Sequence, residues 1–540
     1  MEEGFMRVGT RLLGVSMGHK SGVQKRLFLL TLVVLLGALS FSAVAELQQV
    51  SVGGEIRIRG RYYSNAWEEQ RPLPRRIADN LLPWRPIGPT GTMSKFKWNS
   101  RGKDWTRYES SVLLNVQADF TDDVSAFIEL YDFHIWGEEF RSNYLTGADS
   151  RANNVDFTIM NQAWIEMGNL FDQPLKLRVG RQNLHFGGGW LLSRMMTPSQ
   201  YISFDAIRAT YSPGDFTIDA FASKLDDNDR YFKDSVNLYG IYGTYTGIPE
   251  ASMSLYWLYV RDSTDIPRSE STALGRWVNN RRGLEYGSTK LHTLGYRLFG
   301  GVGGLDYNLE LAYQWGDANH LGSLFKPAGR FFGDTRAKYD NFAVDATVGY
   351  TFKETSWQPR LYVQGVVFSG EDNRDINFGD WLNPFYRPKA SVSFNRLFTD
   401  KNYMATVNDN SWVSNFMQLS AGIEVQPTEK LRIHVHVAKD WVYEPFNPPK
   451  SIRFGRQRAF IAPNLSFWTD SGSRDLGWEV AAFARYNYSP DLWFMLYGNY
   501  LWTGEALTRG SFIHFYGTEY SGGSGKSNAG YLFWMACLKF

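Results

Sequence analysis

The sequence predicts an all-β chain: a transmembrane, antiparallel outer-membrane β-barrel of about eighteen strands, with short periplasmic turns and long extracellular loops. Three observations predict it. A basic, apolar and small-residue leader opens the chain, period-two alternation fills most of the remainder, and the connections alternate strictly between short and long. Composition agrees. The 540 residues are 43% hydrophobic, which excludes a disordered chain, and 16% aromatic, a share suited to rims where an apolar phase meets water. A single Cys excludes a disulfide framework and a thiolate metal cluster. With 57 Lys+Arg against 55 Asp+Glu, nothing global favours nucleic acid as a partner.

The leader comes first. Lys20, Lys25 and Arg26 precede an apolar run at 27–41, and Ala43-Val44-Ala45 then offers a small-residue cleavage site. That order describes a secretory signal peptide. The competing reading is a membrane anchor, but the run has 15 residues, short of the roughly 20 that a spanning helix needs. We expect a signal peptide over 1–45, cleaved after Ala45, and one barrel domain over 46–540. Met17 is a second candidate start. Without 1–45 the chain carries 52 basic and 53 acidic residues.

The strands follow. Over 51–63, Glu55, Arg57, Arg59 and Arg61 fall on one face while Ile56, Ile58 and Tyr62 fall on the other. Over 105–120, Arg107, Glu109, Asn115, Gln117 and Asp119 oppose Tyr108, Val112, Leu114, Val116 and Phe120. Over 305–317, Asp306, Asn308, Glu310 and Gln314 alternate with Leu305, Tyr307, Leu309, Leu311, Tyr313 and Trp315. A soluble sheet also alternates, so the connections decide. Short turns are expected at 121–123, 169–174, 212–215, 247–250, 300–304, 353–358, 426–430 and 489–491. Between them lie long segments at 64–103, 137–155, 183–202, 224–235, 262–288, 317–337, 371–411, 443–473 and 504–526. Outer-membrane barrels sort their connections in this way, and soluble sandwiches have no reason to. The even strand number suits a chain with both termini in the periplasm. The last strand places Leu532, Trp534, Ala536, Leu538 and Phe540 on one face and Cys537 on the other. A closing strand with a terminal Phe resembles the signature read by the bacterial barrel-assembly machinery, so Phe540 is the expected contact with that partner.

Several stretches resemble the alginate export family of outer-membrane porins. They are LRVGRQN at 177–183, SFDAIR at 203–208, LHTLGYR at 291–297, LDYNLELAYQWG at 305–316, Ser369-Gly370-Glu371, and FNRLF at 394–398 running on to Tyr403. The resemblance spans roughly residues 50–540. Three positions depart from the family pattern: Glu371 stands for Asp, Thr399 for Pro, and Lys401-Asn402 for Gly-His. The resemblance implies a barrel that passes an anionic uronic-acid polymer through an Arg-lined constriction, within a polysaccharide secretion system that has a periplasmic partner.

Such a lumen needs fixed positive charge, because each carboxylate of a polyuronate must be desolvated and kept apart from its neighbours. Guanidinium stays charged and binds carboxylate bidentately, and many weak sites conduct better than one tight site. Strand parity turns Arg57, Arg59, Arg61, Arg107, Lys176, Arg178, Arg208, Arg297, Arg360, Arg432 and Arg485 inward. All of these except Lys176 are the candidate substrate-binding residues. The same parity turns in Glu55, Glu109, Asp119, Glu129, Glu166, Asp219, Asp306, Glu310, Asp345, Glu424 and Glu479. By count the lumen is balanced, so the competing reading is that these charges pair with one another and keep the wall wetted. Segments 64–103 and 371–411 are candidates to fold inward as lids or plugs. The first is rich in basic residues (Arg71, Arg75, Arg76, Arg85, Lys95, Lys97, Arg101 and Lys103) and is alternatively a surface that binds anionic lipopolysaccharide.

An enzyme is not expected. His434 and His436 share a strand face, but no further His lies near them in sequence, and a wetted lumenal pair is the simpler reading. His134, His185, His292, His320 and His514 are scattered, and no G-x-S-x-G occurs. The glycines at 300–304 and 522–525 sit at connections between strands, not before a helix, so they are not phosphate loops. No cofactor, metal or nucleic acid is expected. The expected function is facilitated diffusion of an anionic polysaccharide or oligosaccharide across the outer membrane of a Gram-negative type bacterium. The alternative is a porin for uptake of small solutes such as sugars or carboxylates.

Overall fold

Alternating side chains build a closed wall. The computed structural model describes residues 46–68, 96–98, 104–136, 158–197, 200–226, 236–263, 288–317, 337–370, 390–404, 414–444, 450–454, 457–461, 467–469, 473–508, 510–514, 519–522 and 528–540. The expected signal peptide at 1–45 lies outside them. The wall strands, numbered along the chain, are β1 Leu47–Ser64, β2 Trp105–Phe120, β3 Val124–Ile135, β4 Ile159–Met167, β5 Leu175–Gln182 and β6 Phe204–Tyr211. They continue as β7 Phe216–Asp226, β8 Val236–Ile248, β9 Ala251–Asp262, β10 Thr289–Val302, β11 Leu305–Asp317 and β12 Ala337–Thr351. The last six are β13 Arg360–Phe368, β14 Phe416–Thr428, β15 Leu431–Val442, β16 Asp475–Asn487, β17 Leu492–Thr503 and β18 Asn528–Lys539. Each pairs antiparallel with its sequence neighbours, and β18 pairs with β1 from Glu55↔Lys539 to Ser64↔Gly530. Closure leaves no unpaired edge in lipid, where every backbone polar group needs a partner from the chain itself.

The seam runs to the last residue. Phe540 N donates to Gly54 O at 3.1 Å and accepts at its own carbonyl from Gly54 N at 2.8 Å. Gly54 is required here, because a Cβ would come within 2.6 Å of both the Phe540 ring and the Leu113 carbonyl oxygen.

The faces divide as the alternation requires. In β1, Glu55, Arg57, Arg59, Arg61 and Tyr63 are buried toward the lumen, while Tyr62 is exposed on the outer face. Exposed aliphatic residues such as Val112, Leu114, Val116, Leu294, Val348 and Leu361 cover the outer wall. Aromatic residues gather where strands end. Tyr211, Phe216, Tyr350, Phe352 and Trp357 lie at the short-turn side, and Tyr239, Trp315, Trp478 and Trp502 at the long-loop side. An apolar band between two aromatic girdles is the outer surface of a membrane barrel.

Two long connections turn into the lumen and dock on each other. In the β5–β6 connection, Leu184, Trp190, Leu191 and Leu192 are buried; in the β13–β14 connection, Phe394, Leu397, Tyr403 and Met404 are. Main-chain bonds join the two: Ser193 N to Phe398 O at 2.9 Å, Phe398 N to Leu191 O at 2.9 Å and Asp400 N to Gly189 O at 3.1 Å. Gly187 and Gly189 sit at φ +56° and +76° at the tip of the first connection, where side chains are strained. The second connection is tied to the wall: Asn395 N donates to Gln314 Oε1 at 2.7 Å, and Gln314 Nε2 donates back to Asn395 O at 2.7 Å. The expectation that 371–411 folds inward therefore holds for its described part. The inward turn of 183–202 was not expected. Of segment 64–103, only 64–68 and 96–98 are described, so its basic residues other than Lys97, and any gating role, lie outside the described residues.

Outward Leu114 sits midway along β2. Leu114→Arg is expected to lower stability in lipid vesicles by about 2–4 kcal/mol, measured as the urea unfolding midpoint, whereas Asn115→Arg, one residue on and lumenal, costs much less. Equal losses for the two would contradict the assignment of faces.

Candidate functional site

Two of the three alternate arginines of β1, Arg59 and Arg61, gather with Arg107 of β2 on one carboxylate. In the β1–β2 register Arg59 faces Glu109 and Arg61 faces Arg107. Glu109 therefore receives Arg59 Nε at 2.6 Å and Arg61 Nη2 at 2.9 Å, with Arg107 Nε at 3.2 Å. The three guanidiniums and the carboxylate are all buried. One step along β1, Arg57 pairs with Glu55. Lys539 Nζ lies 3.8 Å from Glu55.

Aromatic rings back this seam. Arg59 lies over Phe533 at 5.7 Å from its centroid, Arg61 over Tyr63 at 5.9 Å, Arg107 over Phe133 at 5.8 Å and Arg57 over Tyr201 at 5.5 Å. Such contacts add to holding a desolvated cation. Tyr201 belongs to the return leg of the inward β5–β6 connection and donates to Glu55 Oε1 at 2.5 Å. Burial pushes the Tyr201 phenol up, which keeps it a proton donor at neutral pH. The same leg brings Met195 Sδ within 3.5 Å of Arg57 Nη1. Among the described residues these four guanidiniums gather about two carboxylates, Glu55 and Glu109.

The other candidate arginines are distributed around the wall, most beside an acid. Arg178 Nε donates to Glu166 at 2.7 Å and Arg208 Nε to Asp219 at 2.8 Å. Arg297 reaches Asn308 Oδ1 at 3.1 Å, with Glu310 at 3.6 Å. Arg360 grips Asp306 with two nitrogens, at 2.8 and 2.5 Å. Arg432 lies 3.5 Å from Glu424. Arg485 instead meets Asn487 at 3.1 Å and the Trp493 ring at 4.5 Å. For these strands the competing reading describes the geometry: charges pair across neighbouring strands and the wall remains wetted. Only Arg57, Arg59, Arg61 and Arg107 converge among the ten candidates.

The docked connections narrow the lumen. Trp190, Phe368, Phe394 and Tyr403 pack as one apolar cluster with Phe186 and Tyr242. Within it Arg396 is wholly buried over the rings of Phe368 and Tyr403, at 4.7 and 5.2 Å, and donates to the Lys401 carbonyl. Burial draws the Arg396 guanidinium down to about 10, opposed by Tyr403, Asp345 and Asp400, so it remains charged at neutral pH. Tyr403 OH donates to Asp345. Thr399, standing where the family pattern has Pro, accepts at its hydroxyl from Lys401 N at 3.0 Å and shapes the turn that presents Lys401.

Beside this plug a cavity of about 330 Å³ remains, between Lys401 and Asn402 on one side and Tyr362, Gln364, Gln418, His434, His436 and Tyr497 on the wall. His434 Nε2 is 2.6 Å from Tyr362 OH, and His436 Nε2 is 3.9 Å from Glu479. The pair is thus lumenal and engaged with neighbouring side chains, and no cluster of three or more metal-binding side chains occurs among the described residues. The strand reading missed the inward run at 184–192, whose only signal is three consecutive glycines followed by Trp-Leu-Leu inside a long connection.

The family model described as alginate export matches residues 97–509, from before β2 to beyond β17. Among solved structures the chain is similar to Acinetobacter baumannii OccAB1, at 11% identity and TM-score 0.48, over 91% of this chain and 96% of that one. Pseudomonas aeruginosa OccK8 (OprE) aligns at 11% identity and TM-score 0.46, over 91% of this chain and 98% of that one. No curated protein matches the sequence. The family match extends over well more than half of the sequence and takes in sixteen of the eighteen wall strands, and the chain belongs to the alginate export family.

Proposed function

We propose that this outer-membrane channel passes an anionic polysaccharide or oligosaccharide by facilitated diffusion, with Arg57, Arg59, Arg61 and Arg107 supplying the attraction for its carboxylates. The observation that carries the reading is the convergence of three guanidiniums on Glu109. Guanidiniums gathered on one side of the wall attract a passing carboxylate, while Glu55 and Glu109 keep the attraction weak enough for release. Conduction requires that balance. The aromatic backing of each guanidinium preserves its geometry as the substrate moves. The arginines elsewhere, from Arg178 to Arg485, act as wetted steps along the wall.

Uptake of small solutes is the second reading, favoured by one observation: a cavity of about 330 Å³ lies beside the docked connections. A single solute or a single extended chain fits such an opening better than a coiled polymer.

Two outcomes separate these readings. Polymannuronate is expected to block current through the wild-type channel in a planar bilayer. Arg61→Gln with Arg107→Gln, which leaves Arg59 to balance Glu109, should raise the half-blocking concentration about tenfold, as loss of one charge-assisted contact does. Absence of block in the wild type would leave the small-solute porin. Separately, Glu109→Gln removes the charge that three buried guanidiniums share and is expected to cost about 3–5 kcal/mol of unfolding free energy. An unchanged urea midpoint would show that the cluster does not depend on that carboxylate.

A further inference from the structure

The outer wall carries a feature unrelated to the lumen. On β9–β12 the cross-strand registers align three layers of outward side chains. Nearest the long loops, Arg261 faces Lys290, Lys290 faces Asp317, and Asp317 faces Lys338. One layer toward the membrane centre, Tyr259 faces His292, and His292 faces Trp315. The next layer is Trp257, Leu294, Tyr313 and Phe342. The aromatic layer is continuous. Ring centroids are 6.0 Å apart for Tyr239–Tyr259, 4.4 Å for Tyr259–His292 and 5.2 Å for His292–Trp315.

The basic residues sit at the rim. Arg261 is next to the end of β9 at Asp262, Lys290 is second in β10, and Lys338 is second in β12. All three are exposed, and among the described residues no ion pair engages them. Asp317 is the one acid in their layer. Asp340, one layer in, accepts from Tyr313 OH at 2.6 Å. With strands about 4.8 Å apart, the cations span on the order of 15 Å from Arg261 to Lys338.

We infer that this rim is a docking site for a phosphorylated glycolipid headgroup of the outer leaflet. Cations, aromatic rings and aliphatic side chains occur in the order in which such a lipid presents phosphate, sugar and acyl chains. The lateral spread of the cations suits two phosphates carried at opposite ends of a disaccharide. Lys and Arg near a membrane surface each contribute to binding anionic headgroups, and aromatic residues sit at headgroup level. A glycerophospholipid carries one phosphate on a small headgroup and engages fewer of the three cations.

The test is native mass spectrometry of the folded full chain, titrated with bisphosphorylated lipid A, with lipid A stripped of phosphate, and with phosphatidylglycerol. Bisphosphorylated lipid A is expected to bind most tightly. Arg261→Gln with Lys290→Gln and Lys338→Gln should weaken it at least about tenfold. Lys353→Gln, which removes a charge from a periplasmic turn, should leave it unchanged. Heat-modifiable gel mobility shows whether each variant is folded, and Arg261→Gln alone, expected to weaken binding several-fold, serves if the triple variant is not. Unchanged lipid A affinity in the folded variant would overturn the proposal. So would equal affinity for phosphatidylglycerol, or an oligomer that buries this face in the purified protein. None of these outcomes depends on what the lumen conducts.

Discussion

A backbone inside hydrocarbon has no water to satisfy its amides, and the rest of this structure follows from that constraint. Each strand must be paired on both edges, so the wall closes, β18 returns to β1, and Phe540 bonds to Gly54 at the seam. Closure fixes two faces. One meets lipid and must be apolar between its rims; the other is enclosed and collects most of the charged side chains that the alternation supplies. The bilayer thus forces charge inward, and the charge that results is what the protein works with.

Enclosed charge must then be matched, because a buried ion without a partner costs several kcal/mol. Around most of the wall the match is one to one across neighbouring strands, as for Arg178 with Glu166, Arg208 with Asp219 and Arg360 with Asp306. On β1 and β2 it is not. Three arginines share Glu109, and an aromatic ring lies beside each guanidinium. The inward connection between β5 and β6 connects this cluster to the constriction. Its tip joins the apolar plug at Phe398, while its return leg places Tyr201 and Met195 against Glu55 and Arg57. The part of the chain that narrows the lumen thus also covers the arginine seam.

Much of this was legible in the sequence, because it is local. Alternation assigns a face to every residue of a strand, and connection length assigns a side of the membrane, so the inward set from Arg57 to Arg485 was readable residue by residue. Partners were not legible. That Arg59 meets Glu109 depends on a register set across a connection of some forty residues, and a shift of two would give Arg57 or Arg61 that place instead. The plug was hidden for a stronger reason. Its main-chain bonds join 189–193 to 398–400, two segments distant in sequence, and neither has an alternating pattern to betray its contacts. Thr399, a departure from the family pattern when read as sequence, proves to accept the bond that turns the chain at Lys401.

The central proposal is that the lumen favours anions because Arg57, Arg59, Arg61 and Arg107 gather on one side of it. The most direct measurement is the reversal potential of the wild-type channel in a planar bilayer under a potassium chloride gradient. The account predicts a sign corresponding to chloride over potassium. A potential favouring potassium would contradict it and would mean that the paired carboxylates, not the arginine seam, set the field of the lumen.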